Sequence, residues 1–195
     1  MLIFGGISCK KNQVTKNETA ALEQSAVSNE AAVAGYKKFI IKKGAHYSSP
    51  NPYVLTGKSQ LVFNAVFDSS CIYTTKQAIN QQDVNKLYGF SDCNSQHLVN
   101  SARIGWFWYE GALHLSAYVH NNGEILIQEI TTIPIGKVNK CRISCLAAVY
   151  EFEVNGIKVS LPRNCSGAYT RYKLNPYFGG DEVAPHLINI WINEL

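Results

Sequence analysis

Arg103, Trp106 and Trp108 are the residues of this sequence whose types and spacing best suit the binding of a polar ligand. They lie two or three residues apart in the stretch QHLVNSARIGWFWYE (96–110). On an exposed strand face they would place aromatic planes beside a guanidinium group. Sugar rings bind such surfaces through C–H contacts to the aromatic plane and hydrogen bonds to their hydroxyls. The alternative is that both tryptophans are core residues of a β-sandwich.

The predicted polar strand faces also carry residues that could support β-elimination of a uronate polysaccharide. Such a lyase needs a cation or an amide to neutralise the carboxylate, a base for the C5 proton, and a Tyr or His to protonate the leaving oxygen. The candidates for these three roles are Arg103, His97 or His120, and Tyr172. No spacing motif connects them, so the sequence alone assigns a catalytic role to none of them. Arg103, His120 and Tyr172, together with Tyr118, are also expected to contact a bound ligand.

Motifs for several other chemistries are absent from the sequence. There is no GxSxG elbow, no HExxH motif, no phosphate-binding glycine loop and no EF-hand pattern. Glycoside hydrolysis normally needs two carboxylates that face each other across the scissile bond. Glu151 and Glu153 share one predicted hairpin strand and do not form the ExDxE run of the sandwich glucanases. Hydrolase elbows, zinc-peptidase sites and nucleotide sites therefore have no support, and glycoside hydrolysis is disfavoured.

The stretch NPYFGGDEVAPHLINIWI (175–192) joins a turn-forming segment to an apolar strand. Gly179 and Gly180 can adopt positive φ at little steric cost, and Pro185 pushes the residue before it towards an extended conformation. This composition predicts a sharp corner that directs the chain into the final strand, which begins near Leu187. We expect Gly179→Val or Gly180→Val to reduce folding stability.

Three polar side chains in the same segment have two interpretations each. Asp181 and Glu182 could cap backbone N–H groups at the corner, or could supply oxygen ligands to a structural Ca²⁺. His186 could hydrogen-bond across the corner or take part in catalysis. We favour the hydrogen bond, and we expect His186→Ala to leave ligand affinity nearly unchanged.

Apolar residues recur at every second position through most of the chain after Tyr36, which predicts β-strands. In ALHLSAYVH (112–120), for example, the leucines, Ala117 and Val119 share one face, and the histidines, Ser116 and Tyr118 share the other. Turns at 121–123 and 155–156 predict two hairpins. Only 82–90 is typical of a short helix. The pattern as a whole predicts an all-β antiparallel sandwich or barrel.

The composition fits one folded domain of 195 residues with an N-terminal tail, because 46% of the residues are hydrophobic and 16% are charged. The formal net charge is +4. This excess is too small and too interspersed with acids to indicate a nucleic-acid partner. It supports a weak preference for anionic ligands.

The N-terminal segment MLIFGGISC (1–9) looks like the end of a bacterial lipoprotein signal, in which Ser8 precedes a lipidated Cys9. Gly6 departs from the leucine usually found there, and an apolar tag that packs on the domain is the alternative. Residues 10–35 lack aromatic residues and Pro and predict a flexible tether, with 36–195 as the sandwich domain. The alternative for the tether is a short amphipathic helix around 19–34, because Ala, Glu and Gln favour helix. If a longer form of the chain begins upstream, Cys9→Ala should release it from the membrane fraction.

Five cysteines remain if Cys9 is lipidated, so at least one of them has no partner. Cys141 and Cys145 share a strand face but lie about 13 Å apart, too far for a disulfide. They also lack the spacing of a zinc site. If a disulfide exists, we expect Cys71 to pair with Cys93.

Four elements of the domain carry a family resemblance: LYGFSD (87–92), NSARIGWFW (100–108), LHLSAYVHNNGE (113–124) and YKLNPYFGGDEVAPHLINIWI (172–192). With them the sequence resembles a group of uncharacterised envelope lipoproteins of Bacteroidota-type bacteria, over most of 36–195. More remotely it resembles the concanavalin A-like jelly-roll sandwiches, which include lectin domains, glucanases and polysaccharide lyases. The closer resemblance implies a bacterial cell-envelope location, either periplasmic or on the outer-membrane surface. The remote one implies a jelly roll with a concave face that accommodates glycans.

Two functional hypotheses follow. The first is a lipid-anchored module that binds glycans without catalysis or has a structural role. The second is a polysaccharide lyase, or a related glycan-cleaving enzyme, that acts on an acidic polysaccharide. Both predict a glycan and the membrane as partners, without nucleic acid and without a cofactor other than the alternative Ca²⁺. Fold analogy alone does not choose between them.

Overall fold

The computed structural model describes Val33, residues 35–166 and residues 170–195. The predicted signal remnant and nearly all of the predicted tether lie outside these residues, so both stay predictions. Residues 35–195 form one compact unit. No helix among the described residues is long and apolar enough to cross a membrane.

Thirteen strands account for most of the described chain. They are β1 (Lys37–Ile41), β2 (Ser48–Ser49), β3 (Leu55–Thr56), β4 (Gln60–Phe67), β5 (Asn85–Ser91), β6 (Asn100–Tyr109), β7 (Ala112–Asn121), β8 (Glu124–Ile133), β9 (Asn139–Cys145), β10 (Val149–Val154), β11 (Ile157–Pro162), β12 (Arg171–Leu174) and β13 (Ile188–Glu194). Two short 3₁₀ helices, Ser69–Cys71 and Ala78–Gln82, precede β5.

The strands form two antiparallel sheets. The seven-stranded sheet has the order β11-β10-β9-β4-β13-β1-β2, and the six-stranded sheet has the order β3-β12-β5-β6-β7-β8. Apolar side chains from both sheets, such as Phe63 on β4 and Leu115 on β7, are fully buried in one core. The predicted antiparallel β-sandwich is thus confirmed.

Alternation along β6 and β7 decides which side chains enter the core. On β7, Leu113, Leu115 and Ala117 are fully buried in the core cluster, as their spacing predicted. Strand β6 pairs with β7 residue by residue, so that Arg103 lies opposite Tyr118. Directly paired residues share a face. Arg103, Tyr118 and the residues two positions away from them therefore lie on the outer face of the six-stranded sheet.

Both predicted hairpins are present. Asn122 and Gly123 have φ values of 54° and 88° between β7 and β8, and Asn155 and Gly156 have 50° and 90° between β10 and β11. Positive φ at both central residues is the requirement of a tight type I′ turn, which Asn-Gly meets at low cost.

The predicted helix at 82–90 was wrong. Most of this segment is strand β5, and the register shifts between Lys86 and Tyr88 where it pairs with β6. Leu87 and Phe90 are both fully buried on the core side of this strand. The irregularity places two core residues three positions apart, and this spacing imitates the period of a helix.

The predicted Cys71–Cys93 disulfide was also wrong, because Cys93 pairs with Cys165. Cys71 is a free, fully buried thiol whose sulfur lies 3.5 Å from the carbonyl oxygen of Asn189. It packs against the start of β13, whereas Cys93 follows β5. Cys141 and Cys145 are both free, as their separation along β9 predicted.

A buried ion cluster around Asp92 lies beside the disulfide. The Asp92 carboxylate accepts hydrogen bonds from Arg163 Nε at 2.6 Å, from Arg171 Nε at 2.8 Å and from the Tyr150 hydroxyl at 2.9 Å. Burial by itself would raise the pKa of Asp92, but the hydrogen bonds, led by that of Arg163, lower it. Since Tyr150 belongs to one sheet and Arg171 to the other, the cluster connects the two layers.

Candidate functional site

A cleft with a volume of about 500 Å³ lies on the outer face of the six-stranded sheet. Its floor includes Lys86 of β5, Arg103 of β6, and Tyr118 and His120 of β7. The loop before β3, strand β12 and the residues that follow β12 form its walls. Among the described residues that line the cleft there is no Asp or Glu.

Arg103 is held at the centre of the cleft by its strand neighbours. A Cβ atom built on Gly89, opposite on β5, would lie 2.7 Å from Arg103 Cα and 2.9 Å from Arg103 Cγ. The Ala102 carbonyl oxygen would be closer still, at 2.1 Å, so glycine at this position is what allows the β5 backbone to approach β6 closely beside Arg103.

The Arg103 guanidinium is nearly buried and has no acidic partner. Only 8% of the residue is exposed, and its Nε atom has no hydrogen-bond partner. None of the ion pairs among the described residues includes it. Burial lowers the pKa of Arg103 to about 10, so the group is still charged at neutral pH. An unpaired buried charge is costly, and an anionic ligand would relieve that cost.

Lys86 supplies a second cation beside Arg103. Its Nζ atom donates to the carbonyl oxygen of Gly179 at 3.0 Å and lies 4.7 Å from the centre of the Tyr118 ring and 5.8 Å from that of Tyr177. Burial and the charge of Arg103 lower the pKa of Lys86 to about 8. Neither Arg103 nor Lys86 forms an ion pair among the described residues, whereas the third cation of the lining, Lys173, pairs with Glu194.

The cleft also contains two histidines, His120 on its floor and His97 on its wall. Burial, followed by the charge of Arg103, lowers the pKa of His120 to about 4 and also lowers the pKa of His97. His120 Nδ1 lies 3.4 Å from Ser101 Oγ. His97 Nδ1 lies 3.1 Å from the Tyr172 hydroxyl, which also accepts the His97 backbone N–H at 2.8 Å. Neutral imidazoles can accept protons, as a general base must.

Tyrosine rings surround these groups. Tyr53 is 71% exposed and its ring centre lies 5.0 Å from that of Tyr172. Tyr47, 66% exposed, packs edge-on against Tyr177 at 5.1 Å. Burial raises the pKa of Tyr118 and of Tyr177, which keeps both hydroxyls protonated. The walls therefore offer aromatic faces of the kind on which sugar rings pack.

Five of the residues singled out from the sequence lie together in this cleft: His97, Arg103, Tyr118, His120 and Tyr172. They come from β6, β7, β12 and the segment between β5 and β6, which the sheet order β12-β5-β6-β7 makes neighbours. Their individual roles stay predictions.

Trp106 and Trp108 do not line the cleft, and the expectation that they contact a ligand there is corrected. Trp106 is fully buried and packs against Phe67 and Tyr73, with ring centres 5.5 Å and 5.8 Å away. Trp108 is partly buried against the same core. Both have even numbers on β6, whereas Arg103 has an odd one, and side chains alternate between the faces of a strand.

Sequence reasoning missed Lys86, Tyr47, Tyr53 and Tyr177. Lys86 was hidden because its segment was predicted to be a helix, in which it would have had other neighbours. Tyr177 lies within the corner segment (175–187), in which the Gly, Asp and His residues carry the stronger sequence signal. Tyr47 directly precedes β2, and Tyr53 lies in the loop between β2 and β3, where neither position has a local signal.

The corner segment is hydrogen-bonded to the region between β4 and β5. Glu182 accepts hydrogen bonds from the backbone N–H groups of Lys76 and Gln77, at 2.8 Å and 2.9 Å. His186 Nε2 lies 2.8 Å from the carbonyl oxygen of Ser70, away from the cleft. The segment nevertheless contributes Tyr177 and Gly179 to the cleft lining, so it is a corner that also borders the site.

The alternative Ca²⁺ site at Asp181 and Glu182 stays an untested prediction. The two Glu182 oxygens already accept three N–H groups, the third from the Asn80 side chain at 3.0 Å. Among the described residues, one group of acidic, Cys and His side chains is close enough to hold a metal, namely Asp92, Cys93 and Cys165. Two of its members form the disulfide.

Gly179→Ala should destabilise the protein by about 2 kcal/mol or more, because the site combines positive φ with a steric clash. The φ value is +92°, and a Cβ atom would lie 2.0 Å from the Glu182 carbonyl oxygen. Gly57→Ala is the matched control, since a Cβ there meets nothing within 4 Å. Urea unfolding of both variants measures the effect, and equal midpoints would contradict the prediction.

Comparison with known proteins supports the fold. No protein-family model matches the chain, and no curated protein matches it in sequence. The alginate lyase AlyC3 superposes with a TM-score of 0.55 at 12% identity, over 81% of this chain and 72% of that one. An alginate lyase from Alteromonas sp. 272 gives 0.50 at 8% identity, over 83% and 86%.

The family 7 alginate lyase A1-II′, solved in complex with substrate (GGMG), also gives a TM-score of 0.50 at 8% identity, over 82% of this chain and 76% of that one. These neighbours are concanavalin A-like jelly rolls. The domain is a jelly-roll β-sandwich. That prediction is confirmed, whereas the resemblance to envelope lipoproteins stays a prediction. At such identities the likeness of the jelly roll to its neighbours concerns the fold alone.

Proposed function

We propose that this protein binds a uronate-containing polysaccharide in the cleft and cleaves it by β-elimination. The observation that carries the proposal is the nearly buried, unpaired guanidinium of Arg103, beside Lys86, in a cleft whose described lining has no carboxylate. A uronate carboxylate would supply the missing anion. The same lining is unsuited to glycoside hydrolysis, which needs two carboxylic groups.

Each step of the elimination has a candidate group in the cleft. Arg103 neutralises the uronate carboxylate and thereby acidifies the proton at C5. His120, a neutral imidazole, takes that proton, and the C4–O4 bond breaks as the C4–C5 double bond forms. Tyr172, whose hydroxyl is hydrogen-bonded to His97, donates a proton to the leaving oxygen. The products are an unsaturated uronate end and a new free hydroxyl.

Three solved structures with TM-scores of 0.50 or more support the proposal, since they are alginate lyases and one of them was solved in complex with substrate. We also propose, on the sequence alone, that the domain is anchored in a cell envelope through Cys9. Such an anchor would hold the cleft where extracellular polysaccharide is available.

The direct test incubates the full chain with alginate, pectate, glucuronan and hyaluronan and follows the ultraviolet absorbance of unsaturated uronate. We expect product with at least one polymer, and its loss in His120→Gln and Tyr172→Phe. His186→Ala is the control histidine and should keep full activity, because its ring contacts Ser70 outside the cleft. Affinity electrophoresis on the same polymers measures binding. Binding without product would favour the non-catalytic module, and neither binding nor product would contradict both.

The rate should depend on pH through two groups of the cleft. The base requires neutral His120, so kcat/KM should fall as pH drops through about 4. Lys86 helps to bind the carboxylate only when protonated, so kcat/KM should fall as pH rises through about 8. Lys86→Arg should move the alkaline limb upwards, because arginine stays charged. An alkaline limb that does not move in this variant would contradict the role of Lys86.

A further inference from the structure

One end of the cleft is bordered by aliphatic side chains that the mechanism does not use. Leu98 and Ile125 line the cleft and are 58% and 53% exposed. Ile127, on the same strand as Ile125, is 50% exposed. We call these three residues the aliphatic wall.

Strand pairing places this wall directly beside the proposed base. Ile125 lies opposite His120, and Ile127 lies opposite Tyr118, in the β7–β8 register. Leu98 follows His97 in the chain, and the Gly123 N–H donates to the Val99 carbonyl at 2.9 Å, which holds the two loops together. Directly paired residues share a face, so the isoleucines point to the cleft side of the sheet.

The hydroxyl and carboxylate groups of an unsubstituted uronate chain gain no polar contact from this aliphatic wall. Sugar hydroxyls and carboxylates need hydrogen-bond donors and cations, which the Arg103 and Lys86 side of the cleft provides. Aliphatic side chains stabilise a ligand only by removing apolar surface from water, and an acetyl methyl is an apolar group that acidic polysaccharides commonly carry.

We propose that the cleft prefers an acetylated acidic glycan, with the acetyl methyl packed on Leu98, Ile125 and Ile127 while the neighbouring uronate carboxylate pairs with Arg103. This inference rests on the proposed function and specifies its substrate class. The acetyl group can come from two sources, an N-acetylhexosamine that alternates with the uronate or an O-acetyl ester on the uronate itself.

The experiment compares matched polymers that differ only in acetylation. Hyaluronan is compared with hyaluronan that has been partly de-N-acetylated and then N-formylated, so that the methyl group is lost without leaving a charged amine. Chemically O-acetylated alginate is compared with the same sample after mild saponification. We expect at least one acetylated member to be bound or cleaved about three- to tenfold better than its partner, as the burial of one methyl group predicts. The arm that shows the preference identifies the source of the acetyl group.

Ile125→Ser and Ile127→Ser should reduce the preference for the acetylated polymer towards one. The matched control is Ile157→Ser, an isoleucine that is 48% exposed on the edge strand β11 of the other sheet. It should leave the preference unchanged. The ratio between two polymers cancels any general loss of active protein.

Failure of this inference can be told from failure of the proposed function. If unacetylated uronates are bound or cleaved as well as the acetylated ones, the function stands and the wall has no role in specificity. If no acidic polymer is bound or cleaved, the function itself fails, and the inference with it. A dimer in sedimentation velocity that Ile127→Ser dissociates would assign the wall to an interface between copies of the chain and overturn the inference.

Discussion

Arg103→Met should abolish polysaccharide cleavage without lowering the thermal stability of the protein. Loss of a positioned charge that stabilises developing negative charge typically costs about 100-fold or more in rate. The stability should hold or rise, because methionine removes a nearly buried cation that has no partner and keeps most of the packing of the stem. The measurements are kcat/KM on the active polymer and the melting temperature of the same preparation.

The control is Arg142→Met on β9, in the other sheet. Arg142 forms ion pairs with Glu151 and Glu153 and is not among the residues that line the cleft. This variant should keep full activity. If Arg103→Met retained activity, or lost it together with several degrees of melting temperature, Arg103 would be a structural residue and the proposed function would lose its main support.

Asp92→Ala, in contrast to Arg103→Met, should cause a large loss of stability. It leaves Arg171, which is 1% exposed, and Arg163 without their shared carboxylate. Removal of one partner from a buried ion cluster typically costs about 3–5 kcal/mol. Denaturant unfolding with the disulfide intact measures the loss. Asp181→Ala, at an exposed corner position, should change the free energy of unfolding by less than about 0.5 kcal/mol.

The ion cluster around Asp92 should also make the free energy of unfolding fall at acidic pH. The folded-state pKa of Asp92 is lowered, so its carboxylate contributes stability that is fully present above the ordinary Asp pKa. That contribution should be lost as the pH falls through the lowered value. A loss of less than about 1 kcal/mol in Asp92→Ala at neutral pH would contradict the importance of the cluster for folding.

Arg103 and Arg171 are the same residue type in two different roles. Both are nearly buried arginines on the six-stranded sheet, but Arg171 has a carboxylate at 2.8 Å and Arg103 has none. A paired buried charge supports the fold. An unpaired one lowers stability and is therefore a candidate for ligand binding.

Local patterns predicted much of the fold. The alternation in β7 assigned each side chain of 112–120 to a face, and Tyr118 and His120 indeed lie on the polar one. The Asn-Gly pair at 155–156 predicted its hairpin because only a few residues accept positive φ at two successive positions. Both features depend on neighbours in the chain, so the sequence alone determines them.

The tertiary structure decided the composition of the site. The register shift in β5 places Lys86 in the cleft. The alternation of side chains along β6 places Trp106 in the core, on the face opposite to Arg103. Cys93 pairs with Cys165, which is 72 residues away in sequence. The fold brings the two together because Cys93 follows the end of β5 and Cys165 follows the end of β11. Strand order, register and bulges arise from contacts between residues far apart in sequence. The assembly of His97, Arg103 and Tyr172 into one cleft has no local signal for the same reason, since it follows from the pairing of β12, β5 and β6.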